Sequence, residues 1–448
     1  MKRLGPPRRP GHRRAATTAS ALLLPLTLTA LSGCSDDDGA ATPPPVASPA
    51  ATASGARCVT DAPVPDEGAD AAPAATGAYT VSDGAKTASR KKPFKTSQAD
   101  ESAVLASGSG KLTTHDSKVT KSGGTSSVDA SGGHGLNAAL LARDGGRLDL
   151  SGGTFRTKGK GATGVFASGK GSRAELSANE IEAKGASAHG VMASYGGELA
   201  LRYVQIDTAG AQAAPIAVGP GGGTVTVSGG TMTSAGCGSP GVQTAGEVSL
   251  TQTLFDLANS EAFTVEPGGA LSLTDVRASA AAGGVVLRGD GETSFTMKDG
   301  SIQASDGDIF SVQQAIADVK LTGGAEVKTK DGALLRVRDR GVVTFAADDE
   351  KLHGDVIVSD GSAALDLTGS TTLDGRVSGA SLSLAEGTTW SVAGDSTVAG
   401  LDLGAGAEVS SVIVGNGHAV TYDPGSSPAL HGKSYRLTGG GTLRPASS

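Results

Sequence analysis

The segment Val191-Met192-Ala193-Ser194-Tyr195-Gly196-Gly197-Glu198-Leu199-Ala200-Leu201-Arg202-Tyr203-Val204-Gln205-Ile206 carries the plan of the whole chain. Three short apolar runs, Val191/Ala193, Leu199/Leu201 and Val204/Ile206, alternate with period two, the pattern of strands that bury one face. A Gly-Gly turn separates the first two runs, and a corner separates the second from the third. The unit recurs about every 25 residues from roughly residue 104 onwards. Its first run reappears as Val104-Leu105-Ala106-Ser107, Val165-Phe166-Ala167-Ser168, Ile216-Ala217-Val218-Gly219, Phe263-Thr264-Val265-Glu266 and Val285-Val286-Leu287-Arg288. Its second run reappears as Leu148/Leu150, Val225/Val227, Leu271/Leu273, Phe295/Met297 and Leu365/Leu367, and its corner as Ser151-Gly152-Gly153-Thr154 and Ser228-Gly229-Gly230-Thr231. Three strands per repeat with stacked apolar positions predict an all-β fold, a right-handed parallel β-helix. Roughly fourteen coils at about 4.8 Å each give a solenoid near 65–70 Å long.

Register follows from the same pattern. The outer positions of each first run, such as Val104/Ala106, Leu140/Ala142, Phe310/Val312 and Leu335/Val337, are apolar and are expected to face the core. The middle position points the other way. There, Leu105, Leu141, Phe166 and Met192 form an outward apolar stripe that fades to Gln243 and Arg336. Such a stripe needs a cover or a partner. The leader at 79–100 or the insertion from Asp116 to Leu136 would cover it; otherwise it is a partner site.

The 448 residues include 68 glycines and only 3% aromatics, and the apolar 38% sits in alternating runs between glycines. That arrangement favours strands and tight corners over disorder. A solenoid escapes the usual limit on domain size because each coil touches only its neighbours. Net charge is −7, and removal of the six basic residues Lys2, Arg3, Arg8, Arg9, Arg13 and Arg14 takes it to about −13. An acidic surface repels phosphate backbones, so nucleic acid is not an expected partner. Arg90-Lys91-Lys92 and Arg336/Arg338/Arg340 are local exceptions and read as solvated surface.

The N-terminus reads as an address. Residues 1–33 combine an arginine-rich start with an apolar run interrupted by Pro25, a signal-peptide pattern and not a membrane span. The run ends Leu31-Ser32-Gly33-Cys34, which resembles the lipobox of bacterial lipoproteins. The resemblance implies cleavage before Cys34, lipidation of its thiol and a membrane lipid anchor. Arg13-Arg14 leaves twin-arginine export open beside the general route. Residues 34–78, rich in Ala, Pro, Asp and Gly, are expected to form a disordered tether. Residues 79–103 then serve as a leader or cap, and 104–448 as the solenoid with an atypical last coil. Outside the cytoplasm, the remaining cysteines, Cys58 and Cys237, could be joined.

The runs Asp100-Glu101-Ser102-Ala103-Val104-Leu105, Thr120-Lys121-Ser122-Gly123, Gly135-Leu136-Asn137-Ala138-Ala139 and Asn416-Gly417-His418-Ala419-Val420 resemble secreted bacterial β-helix proteins of the adhesin-like or autotransporter-passenger-like kind. The resemblance spans residue 79 to the end. The activity of such proteins is mostly unassigned; the stiff, acidic, repetitive surface leads us to expect a cell-surface adhesin or scaffold without catalysis or cofactor, whose partners are cell-wall or host polysaccharides or surface proteins. Unlike in true autotransporters, no series of alternating strands of about ten residues follows the solenoid. Anchoring is therefore expected at Cys34.

Many β-helices cleave polysaccharides, so carboxylates form the alternative reading. A pectate-lyase-like site needs an acidic calcium cluster and a nearby basic residue. Asp299, Asp306, Asp308, Arg336 and Arg338 are the candidates, with calcium as the only cofactor this reading requires. Gly133-His134-Gly135 matches one element of polygalacturonase-like enzymes, but Asp348-Asp349 follows it instead of preceding it. Gly164 to Lys170 imitates a phosphate loop, yet Gly171 replaces the magnesium-binding hydroxyl. The seven histidines show no metal-ligand spacing.

Overall fold

Parallel strands stack in register on three faces of a β-solenoid of about 15 coils in the computed structural model, which describes residues 73–447. Leu31, Ser32, Gly33, Cys34, Cys58 and nearly all of the tether lie outside the described residues. On the first face Val104–Ser107, Leu140–Arg143, Val165–Ser168 and Val191–Ser194 follow one another with Val104, Leu140, Val165 and Val191 aligned. On the second, Leu112, Leu148, Ala174, Leu199 and Val225 align; on the third, Val119, Phe155, Ile181, Ile206 and Met232. These ladders are buried, as period-two alternation requires, and they make one continuous core. Midway along the chain the strands no longer break at the corners. Val285–Ala304 runs for 20 residues and contributes to all three faces.

The leader is the first coil. Thr80–Val81 pairs with Val104–Ser107, Ala85–Thr87 with Lys111–His115, and Pro93–Thr96 with Lys118–Lys121. The stacking thus begins before residue 104, because Val81 and Phe94 are spaced to fall on the ladders of the next coil. This terminal edge is short and carries Pro93, Lys86 and Lys95, which discourages pairing with another chain. At the other end Tyr435–Arg436 turns back antiparallel to Thr442–Pro445 and closes the last coil.

The corners explain much of the composition. Between the second and third faces the chain turns through one or two residues of positive φ per coil, single at Asp116, Tyr203, Asp275 and Asp349 and paired at Gly152-Gly153, Gly229-Gly230, Asp299-Gly300 and Gly323-Gly324. Between the third face and the next coil, Gly159, Gly185, Gly210 and Gly236 stack directly. A Cβ on any of these four would come within 1.8–2.0 Å of the carbonyl oxygen of the glycine one coil before. Only hydrogen fits there, so close backbone approach fixes this glycine column.

A buried lysine interrupts the apolar core near the first coil. Lys121 occupies an inward third-face position, fully buried, and its Nζ donates to the carbonyl of Gln98. Burial lowers its pKa, opposed by the nearby Asp100 and Glu101 carboxylates. A buried ammonium persists only with such partners.

Candidate functional site

The apolar stripe is closed within the chain. Leu105, Leu141, Phe166 and Met192 are all buried and form a second cluster with Ala138 and Ala217. They therefore offer no exposed partner site; the segment at residues 75–77 packs on Leu105, and the insertion covers Leu141, Phe166 and Met192. Ser127 caps its helix, Val128–His134, by accepting from the Ala130 N–H. Gly135 ends the helix at φ 70°, against Phe166 and Leu141, where a Cβ would lie 2.6 Å from the Phe166 ring. Left-handed backbone and close packing both demand glycine there. Asp100 fastens the near end of the insertion, accepting from Thr125 Oγ1 at 2.7 Å and Ser126 Oγ at 2.6 Å. Asn137 fastens the far end by donating to the carbonyls of Gly123 and Lys160. Ser194 donates to the Gly133 carbonyl at 2.6 Å, and Tyr195 stacks on His134 with ring centroids 4.8 Å apart. His134, the centre of the polygalacturonase-like fragment, is thus packed against a tyrosine, and burial lowers its pKa, as does Arg143.

The five acidic and arginine candidates do not converge. Asp299 is a left-handed residue of the second corner, φ 59°, a conformation that a short polar side chain tolerates. Asp306 and Asp308 belong to the third corner. Asp308 is bridged by Arg336 of the next coil through Nε at 2.7 Å and Nη2 at 3.0 Å, and its Oδ1 also accepts the Ala333 N–H. Both carboxylate oxygens are engaged in a strut between coils. Asp306 accepts the N–H of Gly307, and Arg338 approaches Asp339 at 3.8 Å. Among the described residues no three Asp, Glu, His or Cys side chains gather in a metal-binding arrangement.

The lateral faces carry ladders of paired charge. Lys111, Arg147, Arg173 and Glu198 align outward on the second face, beside Asp149 and Glu175. Lys111 meets Asp149 at 2.6 Å, and Arg173 meets both Glu175 at 2.9 Å and Glu198 at 3.1 Å. They line an open depression of about 360 Å³. On the third face Arg156 bonds Glu182 at 2.8 Å, and Thr233 donates to Asp207 at 2.5 Å. A second depression of about 340 Å³ is lined by Glu326, Lys328, Asp349, Glu350, Lys351 and His353. Glu350 is fully buried, and burial pushes its carboxyl up; its Oε1 accepts the Gly324 N–H while Oε2 has no partner. Periodicity does not reveal this residue, because it sits at a corner where the third Asp-Asp-Glu position turns inward.

His189 is the other group that sequence spacing misses. Its Nδ1 accepts the Ala214 N–H at 3.2 Å, a bond only the unprotonated nitrogen can accept, and burial pushes its pKa from 6.5 down to about 4. The unfolded chain therefore takes up this proton first. Stability is complete above about pH 6.5, declines as pH falls and levels off below about 4, a loss of about 1–3 kcal/mol. Urea titrations at pH 7.5 and 4.5 should show this difference shrinking in His189→Asn. An unchanged difference would exclude His189 as its source.

Cys237 is half of a disulfide, and the other half lies outside the described residues. No described helix is long and apolar enough to cross a membrane.

Stacked coils, a self-covered stripe and rung-to-rung ion pairs define a β-solenoid whose lateral faces carry ladders of paired charge. No protein-family profile matches the chain. It is 29% identical over 289 residues to the BrkA autotransporter of Bordetella pertussis (strain Tohama I), a match covering 61% of this chain and 26% of that protein. The chain spans about a quarter of that relative's length.

Proposed function

We propose that the chain is a surface-displayed β-solenoid that works as an adhesin or scaffold without catalysis. Lipidated Cys34 and the tether of residues 34–78 hold it to the membrane. The observation that carries this reading is the stack of outward side-chain ladders along both lateral faces, continuous from Gly197 to Ala304. A ligand gripping several coils is held by many modest contacts, with no single decisive residue. Likeness to an autotransporter supports the surface setting. The ligands in this reading are cell-wall or host polysaccharides or surface proteins, and it needs neither cofactor nor nucleic acid. A Cys58–Cys237 bridge would pin the tether to the solenoid and add roughly 4–5 kcal/mol by closing so long a loop.

Two measurements test it. The unit Ala56–Ser448 is incubated with a polysaccharide panel plus calcium, then assayed for retention and, by mass spectrometry, for released oligosaccharides. Retention without products is expected, and unsaturated or hydrolysed products would overturn the non-catalytic reading. Separately, the membrane fraction of cells expressing the full chain should yield a diacylglyceryl-modified Cys34 peptide, and Cys34→Ala should move the protein to the soluble fraction. A variant that stays in the membrane sinks the lipid anchor.

A further inference from the structure

Charge is unevenly distributed along the solenoid. Residues 73–202 hold 17 Lys and Arg against 11 Asp and Glu, whereas residues 203–447 hold 14 against 27. The basic excess is densest on the terminal coil, where Lys86, Arg90, Lys91, Lys92 and Lys95 are opposed between residues 79 and 98 only by Asp83. Two of the five are engaged. Arg90 meets Asp116 at 2.7 Å, and Lys92 lies over the rings of Tyr79 and Phe94 at 4.2 and 5.2 Å. Lys86, Lys91 and Lys95 are exposed and make no ion pair among the described residues. Lys118, on the third face one coil further in, is exposed and unpaired in the same way, with Pro93 as its neighbour in register.

The chain enters the solenoid on this same coil, where Thr76–Gly77 pairs with Glu101–Ser102. We infer that this basic end docks on the anionic headgroups of the membrane to which the tether leads. In the anchored reading about 40 residues separate Cys34 from this end, and a flexible chain of that length has an r.m.s. span of about 35 Å. At such a distance the effective concentration of surface is high, and weak electrostatic contact is well populated. The acidic remainder is repelled by the same surface, so the solenoid stands end-on and its lateral faces stay clear for ligands. This orientation deepens the anchored-adhesin reading, but its test uses protein without the anchor, so the two fail separately.

Ala56–Ser448 is sedimented with vesicles of phosphatidylcholine alone or with 30% phosphatidylglycerol, an arbitrary but common proportion of about one anionic lipid in three. Binding to the anionic vesicles only is expected, with loss at 0.5 M salt, where the screening length is roughly halved. Each lysine near the surface contributes about fivefold, so Lys86→Gln/Lys91→Gln/Lys95→Gln/Lys118→Gln should weaken binding tenfold or more. The same number of exposed lysines changed elsewhere, Lys298→Gln/Lys320→Gln/Lys328→Gln/Lys351→Gln, should leave it intact. Circular dichroism checks that both variants fold. Equal loss in the two variants would mean that net charge, not this end, drives binding and would overturn the inference. So would no binding to anionic vesicles, or retention on an immobilised acidic polysaccharide in its place.

Discussion

Gly185→Ala is expected to destabilise the protein by about 3 kcal/mol or more, the upper range for forcing extra volume into a packed interior. The added Cβ would sit 1.9 Å from the Gly159 carbonyl oxygen and 2.5 Å from its carbon. Both atoms are backbone, so no side chain can swing away, and relief requires two coils to separate. Gly210, the next in the column, makes the same approach to Gly185 and would be displaced with it. Gly132 provides the contrast. It lies in the insertion helix, where an added methyl group would meet nothing within 4 Å. Gly132→Ala should be neutral or stabilise by up to about 1 kcal/mol through helix propensity. Urea unfolding of both variants checks the pair, and a Gly185→Ala midpoint matching that of the parent would refute the stacked-glycine account.

Phe310→Ala should cost about 3–5 kcal/mol. Phe310 is fully buried and lies edge-on to two neighbours, with ring centroids 5.7 Å from Phe295 and 5.4 Å from Phe345. Removing it opens a cavity between second-face rings of two different coils and abolishes both aromatic contacts. Phe310→Leu keeps most of the volume and should cost less than about 1.5 kcal/mol. Trp390, the single tryptophan, is buried several coils away with Nε1 donating to the Gly375 carbonyl. Its fluorescence therefore reports whether damage at Phe310 spreads along the stack. Coincident fluorescence and circular-dichroism transitions indicate one cooperative unit, and separate transitions indicate nearest-neighbour unravelling. A loss below about 1 kcal/mol for Phe310→Ala would show that the core collapses around the gap and would remove the ring trio from the stability argument.

The three-strand coil was legible because inward positions repeat with period two and coils repeat at nearly constant length. Val104, Leu140, Val165 and Val191 align in the sequence and are aligned in space. The leader was less legible. Its runs are only two to four residues long, too short for alternation to stand out, and it proves to be the first coil. Asp299 and Asp308 looked alike as exposed acids beside arginines. One is a left-handed corner and the other a strut to Arg336 of the next coil, a difference set by backbone conformation. The charge imbalance between the two ends was present in the composition but had no meaning until coil order placed Lys86, Lys91, Lys95 and Lys118 together.

Local pattern alone thus specified strands, inward positions and the parallel stack, because alternation and hydrophobic burial act between near neighbours and recur in every coil. Tertiary structure decided what covers the Phe166 stripe, which carboxylates meet which cations, and why Gly185 admits no side chain. Those contacts join residues one or more coils apart, and their geometry depends on the turn of each corner, which residue type constrains but does not dictate.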